Sequence, residues 1–368
     1  MRKLLVLVFA AFVVFALSAC GGPSIDKSAH KIVLITDKGD ITDKSFNQGA
    51  YEGVKAFGDR EKVAYSYLKP TEANNEQYIA SINQAIADGA TIIVTPGFLF
   101  EAPVGQVQSA HKNVKFILLD GAPSVDEKTT IETNVASIFY AEEQSGFLAG
   151  YAAVKDGFRK LGFMGGMAVP AVQRFGHGFI QGAAEAAKEL ELADGAVTVD
   201  YLYTGDFAAT PEVQAAAATM YQGGVEVIFA CGGAVGQSVM AAAAASEGKF
   251  VIGVDVDQSG DSETVISSAT KNLAGSVDQV LKAIFADKFN EFGGKSVILD
   301  VTNEGVGLPM ATSGFRNFVQ ADYDAIYQKL VGGTVKVSTT IGEFGDDGNA
   351  AKQFETAQVK VNVVPFGS

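Results

Sequence analysis

The sequence predicts an α/β chain folded as two doubly wound parallel-sheet lobes. Short β-rich runs alternate with amphipathic helical stretches from residue 31 onward. The same alternation starts again after residue 140. The chain has 368 residues, and the roughly 340 that would remain after an export leader are too many for one ordinary core.

The elements follow in order. Residues 31–36 read as a buried strand, and 45–57 as a helix with Phe46, Ala50, Val54 and Phe57 on one face. Residues 63–67 form the next strand, 75–88 a helix, 91–95 a strand stopped by Pro96-Gly97, 105–112 a helix and 114–119 a strand. The second half reads as helix 140–154, strand 160–164, helix 173–190, strand 197–203, helix 211–221, strand 225–230, helix 237–246 and strand 250–254. Strands bracketing helices of this length imply right-handed crossovers and parallel sheets. No Pro- or Ser-rich linker separates the halves; segments 130–137, 265–271 and 296–303 are the expected crossings. The resulting division is an export signal at 1–19, a tether at 20–30, a first lobe of 31–135 plus 271–300, and a second lobe of 136–270 plus 301–368.

The first residues carry an address. Arg2 and Lys3 precede an uncharged apolar run from Leu4 to Leu17, and Ser18-Ala19-Cys20 follows. That is a secretory signal with small residues at the cut, too short for a comfortable bilayer span of about 20 residues. The order Leu17-Ser18-Ala19-Cys20 resembles a bacterial lipobox, which implies that Cys20 becomes the acylated first residue of the mature chain. Each buried CH₂ of an acyl chain contributes about 0.8 kcal/mol, so several chains anchor firmly. Cys231 is the other cysteine, which excludes a disulfide framework; at the end of an apolar run it reads as a small buried residue.

Composition narrows the function classes. The formal charge is −14, and loss of Arg2 and Lys3 deepens it by two, to −16. With no Lys/Arg cluster, such a surface repels nucleic acid. There is no Gly-x-Ser-x-Gly, Walker A lysine, dinucleotide glycine motif or metal-ligand His/Cys spacing. Asp255-x-Asp257-x-Ser259-Gly260 imitates a calcium loop, but its twelfth position is Ile266 and it follows a strand. Neither a catalytic centre nor a cofactor or metal site is expected.

Polar groups collect at the expected strand ends, where open parallel sheets bind ligands. These ends hold Asp37 through Asn47, Pro96-Gly97-Phe98, Asp120-Gly121, Gly205-Asp206-Phe207, Gly232-Gly233 and Asp255-Val256-Asp257. Carboxylates accept paired hydroxyl or N–H donors, and aromatic faces stack on a flat ring. Taken singly, Asp43 or Ser45 reads as a helix cap, Phe46 as core and Gly232-Gly233 as a tight turn.

Several of these runs resemble one family. The segments are Ile35-Thr36-Asp37, then Asp43-Lys44-Ser45-Phe46-Asn47-Gln48-Gly49, Phe163-Met164-Gly165-Gly166-Met167, residues 173–182, Gly205-Asp206-Phe207, Gly253-Val254-Asp255-Val256-Asp257-Gln258, and Ser268-Ala269-Thr270-Lys271-Asn272. In order, they resemble the Bmp (basic membrane protein) family, the PnrA-like nucleoside-binding lipoproteins of ABC importers. The resemblance implies a type I periplasmic-binding-protein fold, a nucleoside between two lobes and an ABC permease as partner. It implies that Phe46 and Phe207 sandwich the base, and that Asp37 and Asn47 read its polar edge. It places Gly233, Asp255 and Lys271 on the ribose hydroxyls, with Asp120 as an additional contact. A monosaccharide receptor of the same fold and an extracytoplasmic nucleosidase are the competing readings.

The anchor is testable. Wild type is expected to fractionate with membranes as a chain beginning at lipidated Cys20, and Cys20→Ala to be soluble or uncleaved. Mass spectrometry of the mature N-terminus checks this, and an unlipidated, soluble wild type contradicts it.

Overall fold

Alternation along each central strand decides what packs on the two faces of its sheet, in a computed structural model that describes residues 25–367. The first lobe begins with β1 (Lys31–Ile35), α1 (Phe46–Glu61), β2 (Ala64–Leu68), α2 (Asn75–Ala87), β3 (Ile92–Pro96), α3 (Glu101–Val107) and β4 (Lys115–Leu119). A small hairpin, β5 (Ser124–Val125) with β6 (Lys128–Thr129), leads to β7 (Val135–Tyr140). Ile32 and Leu34 point to the core shared with Ala50, Val54 and Phe57 of α1. Val33 and Ile35 point the other way, to Tyr78 and Ile82 of α2 and Val104 of α3. A strand buried on both faces reads as a continuous apolar run.

The second lobe runs through α4 (Glu142–Asp156), β8 (Lys160–Gly165), α5 (Pro170–Glu189), β9 (Val197–Tyr203), α6 (Pro211–Gln222), β10 (Val227–Cys231), α7 (Val235–Ala244), β11 (Phe250–Asp255) and β12 (Val265–Lys271). The chain returns to the first lobe for α8 (Leu273–Phe285) and β13 (Lys295–Leu299). It ends in the second with β14 (Val306–Gly307), α9 (Gln320–Val331) and β15 (Val359–Val363). The first sheet has the order β13-β7-β4-β3-β1-β2, and the second β14-β12-β11-β10-β8-β9-β15. Both sheets are parallel throughout except for β14, which pairs antiparallel with β12.

Several expected boundaries move: the segment expected as the second crossing, 265–271, is strand β12 of the second sheet, and the third, 296–303, overlaps strand β13 of the first, so those crossings fall at Asn272 and after Leu299. β7 belongs to the first sheet, between β4 and β13, so the first lobe runs to Tyr140 and the chain crosses at Ala141, not within 130–137. The segment Val135-Ala136-Ser137-Ile138-Phe139-Tyr140 is a strand that the sequence reading merged into a crossing and the next helix. Residues 27–30 dock on the first lobe instead of trailing as tether. Lys27 pairs with Glu61 at 2.7 Å, and His30 Nδ1 lies 2.9 Å from Thr91 Oγ1 with its ring edge-on to Phe285. The signal and Cys20 lie outside the described residues. Helix α3 also starts and ends earlier than expected, at Glu101 and Val107, which puts Gly105 inside it. A Cβ there would meet the Ser124 backbone oxygen at 2.9 Å, so glycine admits the hairpin.

The three crossings are bonded into one hinge. Ala141 N–H donates to Leu299 O and Asn272 N–H to Gly305 O, each at 2.9 Å. Ser145 Oγ donates to Thr270 O and Gly307 O. Behind the hinge, α4 and α5 approach at backbone distance. Gly146 and Gly150 of α4 face the Phe175 and Phe179 carbonyls, while Gly178 and Gly182 of α5 face those of Glu143 and Phe147. A Cβ at any of the four would overlap a carbonyl. Small residues at this spacing let helices touch along their backbones.

Gly150→Leu therefore forces α4 and α5 apart. The expected loss is about 3 kcal/mol or more, the upper end of overpacking costs, read as a lowered midpoint in urea unfolding. An unchanged midpoint would show that the helices can separate without cost.

Candidate ligand-binding site

The first turn of α1 builds one wall of the cleft. Asp43 supplies the helix cap: its Oδ1 accepts from Ser45 N and Gln48 N at 2.8 and 3.1 Å, and its Oδ2 from Asn47 N at 3.0 Å. Capping from Asp43 frees Ser45, whose hydroxyl crosses to the other lobe and donates to Asp255 Oδ2 at 2.5 Å. The turn also aims Phe46 into the cleft and tucks Asn47 beneath it.

All eight residues singled out from the sequence, Asp37, Phe46, Asn47, Asp120, Phe207, Gly233, Asp255 and Lys271, line one interlobe cavity of about 690 Å³. Phe46 and Phe207 are half-buried and come from opposite lobes. Gly166 makes room for Phe207, since a Cβ there would enter its ring. Gly233 stands in the left-handed region at φ +55 with its Cα side turned to Phe207. Asp120 and Asp255, at the ends of β4 and β11, share that conformation at φ +54 and +68. Such strain in non-glycine residues is concentrated where side chains must be aimed.

At one end of the cavity lies Asp37. Its Oδ1 accepts from Gly39 N and Asn47 Nδ2, both at 2.9 Å. Asn47 spends its second N–H on Asp43 Oδ2 at 2.9 Å. Asp37 Oδ2 accepts no hydrogen bond among the described residues. Burial pushes the Asp37 carboxyl up to about 6, opposed by the Gly39 and Asn47 donors and helped by the Asp43 charge.

A second cluster centres on Lys271, the last residue of β12. Its ammonium lies 2.5 Å from Asp120 Oδ2, 3.1 Å from Glu142 Oε1 and 3.9 Å from Asp255 Oδ1. It also sits over the rings of Phe46, Tyr140 and Phe175 at 5.0–5.3 Å. Arg174 holds Glu142 from the far side at 2.6 Å. Three acids against two cations leave this buried set one negative charge in excess when all three are ionised. Burial works against the Lys271 charge, yet Asp120, Glu142 and Asp255 hold its pKa well above the ordinary lysine range. Burial raises Asp120 and Asp255, in each case against the pull of Lys271. Glu142 stays below its usual value despite burial, because Lys271 and Arg174 flank it. Asp120 Oδ1 is buried with no partner among the described residues.

Sequence reasoning missed Ser45 as a cross-lobe donor, and it missed Glu142, Arg174, Tyr140 and Phe175. The signal for Glu142 was its place directly after the first crossing. Arg174 and Phe175 lay inside the 173–182 run. Phe344, 65 % exposed on an irregular strap after α9, reaches the cleft mouth against Phe98 with ring centroids 6.0 Å apart. Lys38 pairs with Asp206 across the same mouth at 2.6 Å, and Gln258 Nε2 donates to Lys44 O at 2.6 Å. No group of three or more His, Cys, Asp or Glu residues suited to a metal ion occurs among the described residues. No helix among them is long and apolar enough to cross a membrane.

Residues 30–340 match the model of the Bmp family, described as ABC transporter substrate-binding protein PnrA-like. The ABC transporter nucleoside-binding protein BmpA of Lactococcus lactis is 30% identical over 329 residues, 83% of this chain and 89% of its own length. Basic membrane protein A1 of Borrelia garinii is 30% identical over 312 residues, covering 83% and 87%. The CD4+ T-cell-stimulating antigen of Listeria innocua is 28% identical over 349 residues, covering 87% and 94%. Among solved structures, an ABC transporter solute-binding protein from Aeropyrum pernix superposes with a TM-score of 0.71 at 22% identity, over 84% of this chain and 94% of its own. One from Conexibacter woesei gives 0.68 at 24%, over 85% and 100%. The fold is thus the periplasmic-binding-protein type.

The Lys271 cluster makes a pH prediction. Asp37, Asp120 and Asp255 have folded pKa values raised above their unfolded ones, so the native state binds more protons than the unfolded one. Their contribution to stability is therefore greatest below about 4, the unfolded carboxylate value, and is lost as pH rises through about 6 and beyond. Removing the cation by Lys271→Met leaves the carboxylates unpaired and should cost about 3–5 kcal/mol at pH 7.5, partly recovered at pH 5. Thermal melts of wild type and variant at both values check this; a variant less stable at pH 5 than at pH 7.5 contradicts it.

Proposed function

Because the chain belongs to the Bmp family of ABC transporter substrate-binding proteins, we propose that its interlobe cleft holds cargo for import and that the cargo is a nucleoside. The observation that carries this reading is the pairing of one half-buried phenylalanine from each lobe, Phe46 and Phe207, within the cavity that also holds Asp37 and the Lys271 cluster. A flat heteroaromatic base fits between two rings. A ribose presents hydroxyls that both donate and accept, and the cluster offers both complements: the Lys271 ammonium donates, while Asp255 and the free Asp120 Oδ1 accept. Gly233 lets the backbone approach the sugar without a side chain in the way. The relative from Lactococcus lactis whose name states nucleoside binding supports the same cargo. Membrane attachment through lipid on Cys20, on the extracytoplasmic face beside an ABC permease, completes the proposal; it rests on the lipobox-like run and the family.

Loss of a desolvated aromatic wall costs about 2 kcal/mol or more, so Phe46→Ala and Phe207→Ala should each weaken inosine binding roughly thirtyfold. Asp255→Asn removes a charged acceptor, and should weaken a nucleoside about tenfold while changing free-base binding little. Calorimetry with inosine, adenosine, uridine, free base and ribose checks all three. Ribose binding as tightly as inosine, with both Phe variants unaffected, would assign the cleft to sugars.

A further inference from the structure

The hydrogen-bond ledger around Asp37 narrows how a base edge can be read. Asn47 Nδ2 donates one N–H to Asp37 Oδ1 and the other to Asp43 Oδ2, and Asn47 Oδ1 accepts from Asp37 N at 3.2 Å. Asn47 is buried, so it has no N–H to offer a ligand. Asp37 Oδ1 already takes two donors. What remains is Oδ2, packed so closely on the loop after β3 that a Cβ on Gly97 would meet it at 2.8 Å. Asn47 is then a positioning residue that fixes the Asp37 carboxyl, and a single oxygen faces the cavity.

A single oxygen can be an acceptor or, once protonated, a donor. The 6-oxopurines carry N1–H and need an acceptor; adenine carries a lone pair on N1 and needs a donor. Resting on the nucleoside reading above, with Asp37 at the base edge as the family resemblance implies, we infer that Asp37 Oδ2 serves both classes by changing its proton, accepting from N1–H of inosine or guanosine as carboxylate and donating to N1 of adenosine as carboxylic acid.

The surroundings place this exchange near neutrality. The groups facing Asp37 are Lys38 on its own loop, Asp43 from the turn before α1 and Tyr78 from α2; the loop after β3 brings only Gly97 and Phe98. Lys38 is engaged by Asp206, and Tyr78 titrates far above neutrality because it is buried. Burial therefore dominates, and it raises the Asp37 carboxyl to about 6. The signs for the two ligands are opposite. Inosine selects the carboxylate, so its binding is strong at high pH and weakens as pH falls through about 6. Adenosine selects the acid, so its binding is strong at low pH and weakens as pH rises through the same point. Both nucleosides are essentially uncharged between pH 5 and 7.5. Apparent affinity scales with the competent fraction. Inosine should thus bind roughly tenfold more weakly at pH 5 than at pH 7.5, and adenosine roughly thirtyfold more weakly at pH 7.5 than at pH 5. Asp120 and Asp255 also titrate high, but they belong to the Lys271 cluster, which meets the same ribose in both ligands. The adenosine-to-inosine affinity ratio cancels their contribution.

Calorimetry of the wild-type protein with inosine and with adenosine at pH 5, 6 and 7.5, in two buffers of different ionisation enthalpy, reads both affinity and proton exchange. The expected result is proton release with inosine, proton uptake with adenosine and crossing pH profiles, all flattened in Asp37→Asn if that variant folds. Wild type alone decides the matter. Parallel profiles overturn the inference and leave nucleoside capture standing, as does a flat adenosine profile, which would mean that its 6-amino group donates to Asp37 instead. Absence of binding by either nucleoside at every pH overturns nucleoside capture itself.

Discussion

Lys271 is the point on which the two lobes depend. Its ammonium is almost wholly buried, at the end of β12, where the chain is about to cross between lobes. Glu142 opens α4 just after the first crossing, Asp120 ends β4 of the first lobe, and Asp255 ends β11 of the second. One cation thus holds carboxylates from both lobes and from the hinge. Burying an ammonium is costly unless it is paired and hydrogen-bonded. That cost forces the four groups together, and their convergence sets where the cleft floor lies.

With all three acids ionised the cluster is not neutral, and its imbalance gives the site its chemistry. With three carboxylates to Lys271 and Arg174, acceptor capacity is left over, and Asp120 Oδ1 is the atom on which it shows. A ligand that brings hydroxyl donors relieves that excess. The lobes meet across the cleft through Ser45 with Asp255, Lys38 with Asp206, Gln258 with the Lys44 carbonyl, and Phe344 against Phe98. Hinge closure around a ligand is one of the standard domain motions of proteins. Here the hinge is three short crossings bonded to one another, backed by glycine contacts between α4 and α5 that leave little slack.

Much of this was legible in the sequence, for physical reasons. Parallel strands buried on both faces give unbroken apolar runs, so β1, β3, β4, β8, β10 and β11 stood out. Ligands meet such sheets at strand ends, so the eight residues that line the cavity were named from position and from a family resemblance. β7 was not legible, because Val135 to Tyr140 runs without a turn signal into Ala141 and α4. Glu142 and Arg174 were missed because a buried ion pair leaves no periodic trace; only the fold brings Arg174 of α5 onto the first turn of α4. Asn47 was expected at the base edge; it lines the cavity, and its amide N–H groups bond Asp37 and Asp43, which only the fold reveals. The strap carrying Phe344 has neither helical nor strand period, so nothing placed it at the cleft mouth.

The central claim is that a nucleoside is held intact between the lobes. Its most direct test is mass spectrometry of whatever remains bound to the wild-type protein after gentle purification from its native host. The account predicts a nucleoside mass, near one per chain and released on unfolding. Recovery of a free sugar, or of separated base and ribose after the protein is incubated with a nucleoside, would contradict it.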